Sequence, residues 1–271
     1  MKKLKTMIAS AVIAVSATAV VAEGLDIAVG QQGRGYERRG IEIAKQLQDG
    51  WAVRNFAGSE DIARAVCNDP TTPIGIAQID AIRAMEMEGC QLRTVGVYPS
   101  LEYAVILFPP DSPYNELSDM ASGNRVLVDK VGSGTALFWQ TIVGIEKSDQ
   151  GNKSSWSEVS PVYDNIVFAE SMADVGDIDA VILVGNPNST EVWELINAGW
   201  EMGELYDKDI NDLVFRKGPL YDVESITIDP PGAWNSATDD AYVVKSYFIV
   251  NPTNLDDATV TRLARIVKAI Q

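Results

Sequence analysis

Arg125-Val126-Leu127-Val128 runs into Asp129-Lys130-Val131-Gly132-Ser133-Gly134-Thr135 and then into Ala136-Leu137-Phe138-Trp139-Gln140-Thr141-Ile142-Val143. The first four residues read as a short buried strand and the last eight as a helix, with a glycine-rich corner between them. Glycines in such a corner allow close backbone approach, and the helix start supplies free N–H groups and a partial positive charge. Ser133 and Thr135 add hydroxyls. In outline this is a small anion-binding site, although the Lys-Ser/Thr pair of a Walker A loop is missing. An ordinary helix N-cap with glycines for its turn accounts for the same residues.

The same strand-to-helix rhythm extends to both sides. Strands are expected over 25–29, 51–56, 74–77, 92–98 and 103–108, with helices over 36–47, 60–66 and 80–87 between them. Ser59 is placed to cap the second of these helices, whose first turn holds Glu60 and Asp61. After Pro109, Pro110 and Pro113 the rhythm restarts at Arg125, with a strand over 179–184 and a helix over 190–198. The polar stretch 206–240 gives no clear pattern. A late strand over 243–250 and a helix over 254–270 close the chain. Alternating strands and helices predict parallel sheets with helices on both faces, in two α/β units. Their cleft receives the carboxyl ends of the strands.

Lys2, Lys3 and Lys5 precede an almost wholly apolar run over 7–21, and Val20-Val21-Ala22 offers small residues for cleavage before Glu23. That is the pattern of a secretory signal peptide over 1–22, its apolar core short for a membrane span, with an uncleaved anchor as the alternative. The remaining 249 residues suit one large domain or two lobes. The net charge of −16 becomes about −19 once the three leader lysines are removed, which argues against a nucleic-acid partner. With no histidine in the chain, Ser-His-Asp and Cys-His catalysis and histidine metal sites are excluded. Cys67 and Cys90, in an exported chain, predict one disulfide worth about 3 kcal/mol, with two buried thiols as the alternative.

Four segments fall just past strand ends: Gly30-Gln31-Gln32-Gly33-Arg34-Gly35-Tyr36, Gln78-Ile79-Asp80, Gly132-Ser133-Gly134-Thr135 and Gly185-Asn186-Pro187. With them the chain resembles the TAXI family of solute-binding proteins, which serve TRAP-type transporters. The first segment is similar to that family's Gly-Gly-Thr-Gly-Gly-Thr-Tyr loop, keeping Gly30, Gly33 and Tyr36. Gln78-Ile79-Asp80 resembles its Gln-x-Asp, Val97-Tyr98-Pro99-Ser100 its Leu-Tyr-Pro-Glu with the glutamate lost, and residues 118–126 its Asp-Leu-x-Gly-Lys-Arg-Val. Gly132 to Thr135 matches its Gly-Ser-Gly-Thr in full. Residues 175–180 resemble its Asp-Gly-x-Ile-Asp-Ala, and Pro231-Gly232-Ala233-Trp234 a late Pro-x-x-Tyr. Gln31, Gln32 and Arg34 replace small residues of the first loop.

The resemblance implies an α/β, two-lobed type II periplasmic-binding-protein fold with a ligand cleft between the lobes. Lobe 1 is expected over 23–108, completed by 246–271, and lobe 2 over 109–245, with hinges near 108–112 and 243–246. It implies a periplasmic receptor that captures a small anionic solute, a carboxylate such as glutamate or a dicarboxylate, and delivers it to a TRAP-type permease. The expected ligand-binding residues are Gln32, Arg34, Tyr36, Gln78, Asp80, Gly132, Ser133, Gly134, Thr135, Gly185, Asn186 and Trp234. The corner N–H groups take the oxyanion, while Tyr36 and Trp234 close over the apolar part. Asp80 either accepts a ligand ammonium or caps its own helix, and Arg34 is either the ligand's cation or a solvated loop arginine. A monomer without cofactor or enzymatic activity is expected; no metal ligands are singled out, and metal co-binding through the many carboxylates is left open. The binding component of an ATP-driven importer or a sensor would look the same. An exported enzyme using Asp129, Asp164 or Asp179 is a further alternative, since glycosidase chemistry needs only two carboxylates.

Overall fold

The computed structural model describes residues 24–48, 50–148, 153–232 and 236–270. The expected leader at 1–22 and Trp234 lie outside the described residues. The chain begins with strand–helix units: β1 (Leu25–Val29), α1 (Gly35–Leu47), β2 (Trp51–Asn55), α2 (Ser59–Asn68), β3 (Ile74–Gln78), α3 (Ile79–Met87) and β4 (Arg93–Val97). Next come β5 (Glu102–Phe108), β6 (Arg125–Leu127), α4 (Gly134–Ser148), β7 (Ser160–Val162), α5 (Ala169–Asp174), β8 (Ala180–Gly185), α6 (Thr190–Asn197), β9 (Glu201–Gly203) and α7 (Lys208–Asn211). The last elements are β10 (Val214–Phe215), β11 (Gly218–Pro219), β12 (Asp222–Ile228), β13 (Ala237–Val244), β14 (Ser246–Val250) and α8 (Asp257–Ile270).

Two main sheets result. The first has the order β2-β1-β3-β14-β4, and the second β12-β13-β5-β8-β6-β7 with β9 also on β5. Neither is the all-parallel sheet expected from the strand–helix alternation. β14 runs antiparallel to β3 and β4, and β5 runs antiparallel to β13, β8 and β9. A periodic pattern identifies a strand but not the direction of its neighbour.

Alternation along each strand divides the core. Ile27, Val29, Ile74, Ile76, Phe248 and Val250 pack with Ile43 and Leu47 of α1 and Leu263 and Val267 of α8. The opposite face sets Ala28, Ala77 and Ile249 against Ile62, Val66, Ile82 and Met85 of α2 and α3. Small residues on that face bring the helices in: a Cβ on Gly75 would lie 2.8 Å from both Ile62 and Val66 methyls. The second sheet is layered alike, with Phe138, Trp139 and Ile142 of α4 on one face and Val192, Leu195 and Ile196 of α6 on the other. Cys67 and Cys90 are joined in a disulfide beside α2 and α3.

The chain changes sheets twice, and the first change is not where the sequence placed it. β5 pairs with β13 and β8, so residues 98–101 cross between the sheets rather than residues 108–112. The apolar run of β5 would suit either sheet, and only its partners decide. The second change falls at Lys245, which divides the expected strand 243–250 into the end of β13 and the whole of β14. The crossings lie side by side, Tyr98 N–H donating to Ser246 O at 2.7 Å.

Candidate functional site

A cavity of about 710 Å³ lies between the two sheets, within the usual range for small-molecule sites. Four helices begin on it: α1 at Gly35 and Tyr36, α2 at Gly58 and Ser59, α4 at Gly134 and Thr135, and α6 at Ser189, Glu191 and Val192. First-turn N–H groups have no carbonyl of their own helix to bond, and each helix start carries partial positive charge. The walls therefore favour an oxyanion.

The floor has the opposite character. Glu102 Oε2 accepts from Tyr36 Oη at 2.7 Å, Gln78 Nε2 at 3.0 Å and Ser246 Oγ at 2.8 Å. Burial pushes the Glu102 carboxyl up from its ordinary range, and these three donors pull it partly back. Donating Nε2 to Glu102 orients the Gln78 amide so that Oε1 points away. That oxygen is buried and has no hydrogen-bond partner, an unfavourable state unless a donor is supplied. Sequence reasoning missed Glu102, because a lone glutamate after Pro99 and Ser100 carries no motif.

Of the expected ligand-binding residues, Arg34, Tyr36, Gln78, Ser133, Gly134, Thr135, Gly185 and Asn186 line the cleft. Ser133 and Thr135 are engaged by backbone, however. Ser133 Oγ accepts from Ala136 N–H at 3.1 Å as the cap of α4, and Thr135 Oγ1 accepts from Val184 N–H at 2.9 Å, tying α4 to β8. The free amides of Gly134 and Thr135 are what the corner offers. Tyr36 commits its hydroxyl to Glu102 and sets its ring edge-on to Tyr98, centroids 5.0 Å apart. Burial, then the Glu102 charge, holds its phenol well above the ordinary value.

Five of the residues singled out in the sequence have other surroundings than a ligand contact or a cap would give them. Asp80 is buried outside the cleft wall, with Oδ1 taking Ala81 N–H at 2.8 Å and Oδ2 the Tyr221 hydroxyl at 3.1 Å. Burial pushes its carboxyl up to about 7, and its bond to Ala81 N–H agrees with the alternative in which it serves its own helix. Gly132 lies behind the wall against Asp61, and Gln32 is exposed outside it. Arg34 forms an ion pair with Glu191 at 3.0 Å, spanning from the α1 loop to α6. Its neighbour one turn on, Arg38, lines the cleft without an ion pair among the described residues. Finally, α2 is capped at Gly58 rather than Ser59, and Ser59 Oγ instead accepts from Gln78 N–H at 3.3 Å.

The halves already touch across the cleft. A Cβ on Gly58 would lie 2.7 Å from Ser133 Cα, and one on Gly134 would overlap the Gln78 amide, 2.6 Å from Cδ. Of Asp129, Asp164 and Asp179, only Asp129 lines the cavity, whereas Asp179 Oδ2 accepts from Arg125 N–H at 2.7 Å. No two of these three carboxylates face each other across it.

No family model and no curated protein sequence matches this chain. Solved structures do. An ancestral arginine-binding protein bound to arginine is 16% identical with a TM-score of 0.54, covering 92% of each chain. XAC2383 from Xanthomonas citri bound to chloride ion is 9% identical with a TM-score of 0.53, over 90% of this chain and 83% of that one. The periplasmic aliphatic sulphonate binding protein SsuA from Escherichia coli is 15% identical with a TM-score of 0.49, over 92% of this chain and 70% of that one. At such identities the likeness concerns architecture. The chain has the two-lobed α/β fold of periplasmic binding proteins, with its cleft between the lobes.

Proposed function

We propose that this chain is an extracytoplasmic receptor for a small solute bearing both a carboxylate and an amino group, an amino acid such as glutamate. The observation that carries the reading is the buried Gln78 Oε1, an acceptor without a donor beside the Glu102 carboxylate. A ligand ammonium supplies the missing donor and a countercharge. The ligand carboxylate meets the first amides of α4 at Gly134 and Thr135, with Arg38 as the nearby cation; charge-assisted bonds to such groups are the strong ones. Gln78, Glu102, Gly134, Thr135, Gly185, Asn186 and Tyr36 are the residues we assign to binding. The lobes close by rotation about the crossings at 98–101 and Lys245.

Export to the periplasm rests on the leader pattern at 1–22. Delivery to a TRAP-type permease rests on the family resemblance, strongest at Gly132 to Thr135. The receptor of an ATP-driven importer would present the same cleft, and cross-linking to permease subunits separates the two. A binding rather than catalytic role is supported by the scattering of Asp129, Asp164 and Asp179.

The test is a thermal-shift screen followed by calorimetry with glutamate, glutarate, simple amines, sulfonates and sugars. A ligand at 100 times its Kd stabilises the native state by about 2.7 kcal/mol, a shift of several degrees at this size. Glutamate or another amino acid is expected to lead, with glutarate weaker. A response confined to neutral sugars would sink the reading.

A further inference from the structure

At the far end of α4 from the cleft, three carboxylates meet. Glu146 sits near the end of that helix and is wholly buried, 0% exposed. It faces Asp207 and Asp209 at the start of α7, with one carboxylate oxygen of each of the three within 4.8 Å of the others. Ser154 N–H donates to Glu146 Oε1. The other oxygen, Oε2, is buried and accepts no hydrogen bond. Asp207 Oδ1 takes Asp209 N–H at 2.8 Å, and its Oδ2 takes the Trp156 indole N–H at 3.1 Å. Among the described residues, neither Glu146 nor Asp207 forms an ion pair.

Glu146 is the incompletely satisfied member of this group. A buried carboxylate costs a great deal unless it is paired or coordinates a metal. Here it lies among like charges and at the negative end of the α4 dipole. Asp207 and Asp209 thus bring two carboxylates of one short segment to Glu146.

We propose that Glu146, Asp207 and Asp209 bind a divalent cation, Ca²⁺. The donor set is all oxygen. The chain has no histidine, and both cysteines are consumed in the disulfide, so the nitrogen and thiolate ligands that zinc and copper favour are absent. Calcium takes six to eight oxygens in flexible geometry, carboxylates, amide carbonyls and water together, whereas magnesium demands a near-ideal octahedron. Water completes the sphere. The ion staples the C-terminal end of α4 to α7, and so braces from behind the helix whose first residues line the cleft.

The structure supplies its own reporter, since Trp156 bonds to Asp207 and packs against Trp139 with centroids 6.0 Å apart. The full chain is stripped with a chelator and titrated with CaCl₂, MgCl₂ or TbCl₃. The expected result is a rise of several degrees in Tm with calcium and terbium luminescence excited through tryptophan and displaced by calcium. Asp209→Asn and Glu146→Gln should each weaken calcium at least tenfold. Asp209 is only half-buried, so its variant tests the site should Glu146→Gln misfold, and circular dichroism checks both. No Tm shift and no luminescence at millimolar metal would overturn the proposal. Magnesium binding without calcium would overturn the choice of ion, and undiminished calcium binding in Asp209→Asn would overturn the site.

Discussion

Gln78 and Gly134 face each other across the cleft so closely that any side chain at Gly134 would occupy the space of the Gln78 amide. Gln78 cannot withdraw without leaving Glu102, to which its Nε2 donates at 3.0 Å. Gly134 is the first residue of α4 and needs no left-handed backbone. Gly134→Val should therefore keep the fold and lose the closed cleft. Ligand affinity should fall at least tenfold in calorimetry while far-UV circular dichroism stays unchanged; retained affinity would remove this corner from the site.

Glu102→Gln keeps the size of the side chain and removes its charge. Affinity for an amino acid should drop at least tenfold, about 1.4 kcal/mol, while binding of the amine-free analogue changes little. An equal loss for glutamate and glutarate would mean that Glu102 serves the fold and not the ammonium.

Asp80 gives stability a pH dependence of unusual sign. Its carboxyl is pushed from 3.8 to about 7 by burial, so the folded state holds its proton more tightly than the unfolded chain. The contribution of this group is greatest below about pH 4, declines as pH rises towards 7, and is flat above, for a total of about 4 kcal/mol. Asp80→Asn should stabilise the protein at pH 8 and not at pH 4. Parallel Tm profiles for the two proteins from pH 4 to 8 would refute it.

Arg34 and Glu191 join the two halves at the cleft mouth, 3.0 Å apart, but the arginine is largely exposed. Such pairs contribute up to about 1 kcal/mol and are screened by salt. Arg34→Ala should speed ligand release up to about fivefold, and added salt should reproduce part of that effect in the parent protein. A loss of several hundredfold in stopped-flow release would make Arg34 a ligand contact instead.

Reducing the Cys67–Cys90 bond, or replacing both residues by alanine, should cost about 3 kcal/mol for a loop of this length. At this chain size that is on the order of 10 °C in Tm. Calorimetric scans with and without reductant measure it, and coincident scans would show that the bond constrains nothing.

Local units were legible in the sequence because their information is local. The strand over 25–29 and the helix over 190–198 agree with β1 and α6 to within a residue, since apolar period and caps lie within each segment. Strand partners were not legible. β5 went to the wrong sheet and Lys245 disappeared inside an apolar run, because both are decided by distant residues. The site divides in the same way. The Gly132–Thr135 corner and Gln78 announce themselves by motif, whereas Glu102 and Arg38 matter only through their neighbours in space. Arg34 and Asp80 drew attention by position and proved to be occupied elsewhere, by Glu191 and Tyr221.

The placing of β14 between β3 and β4 also sets an order of assembly. Every strand of the second sheet lies between Glu102 and Val244, so that half can be completed while the chain is still being made. The first half is started earliest and finished last: until the segment from Ser246 onward arrives, β3 and β4 have no strand between them and α8 is missing from the face of α1. A nascent chain of this design keeps its opening half unfinished until Ser246 and the residues after it are present.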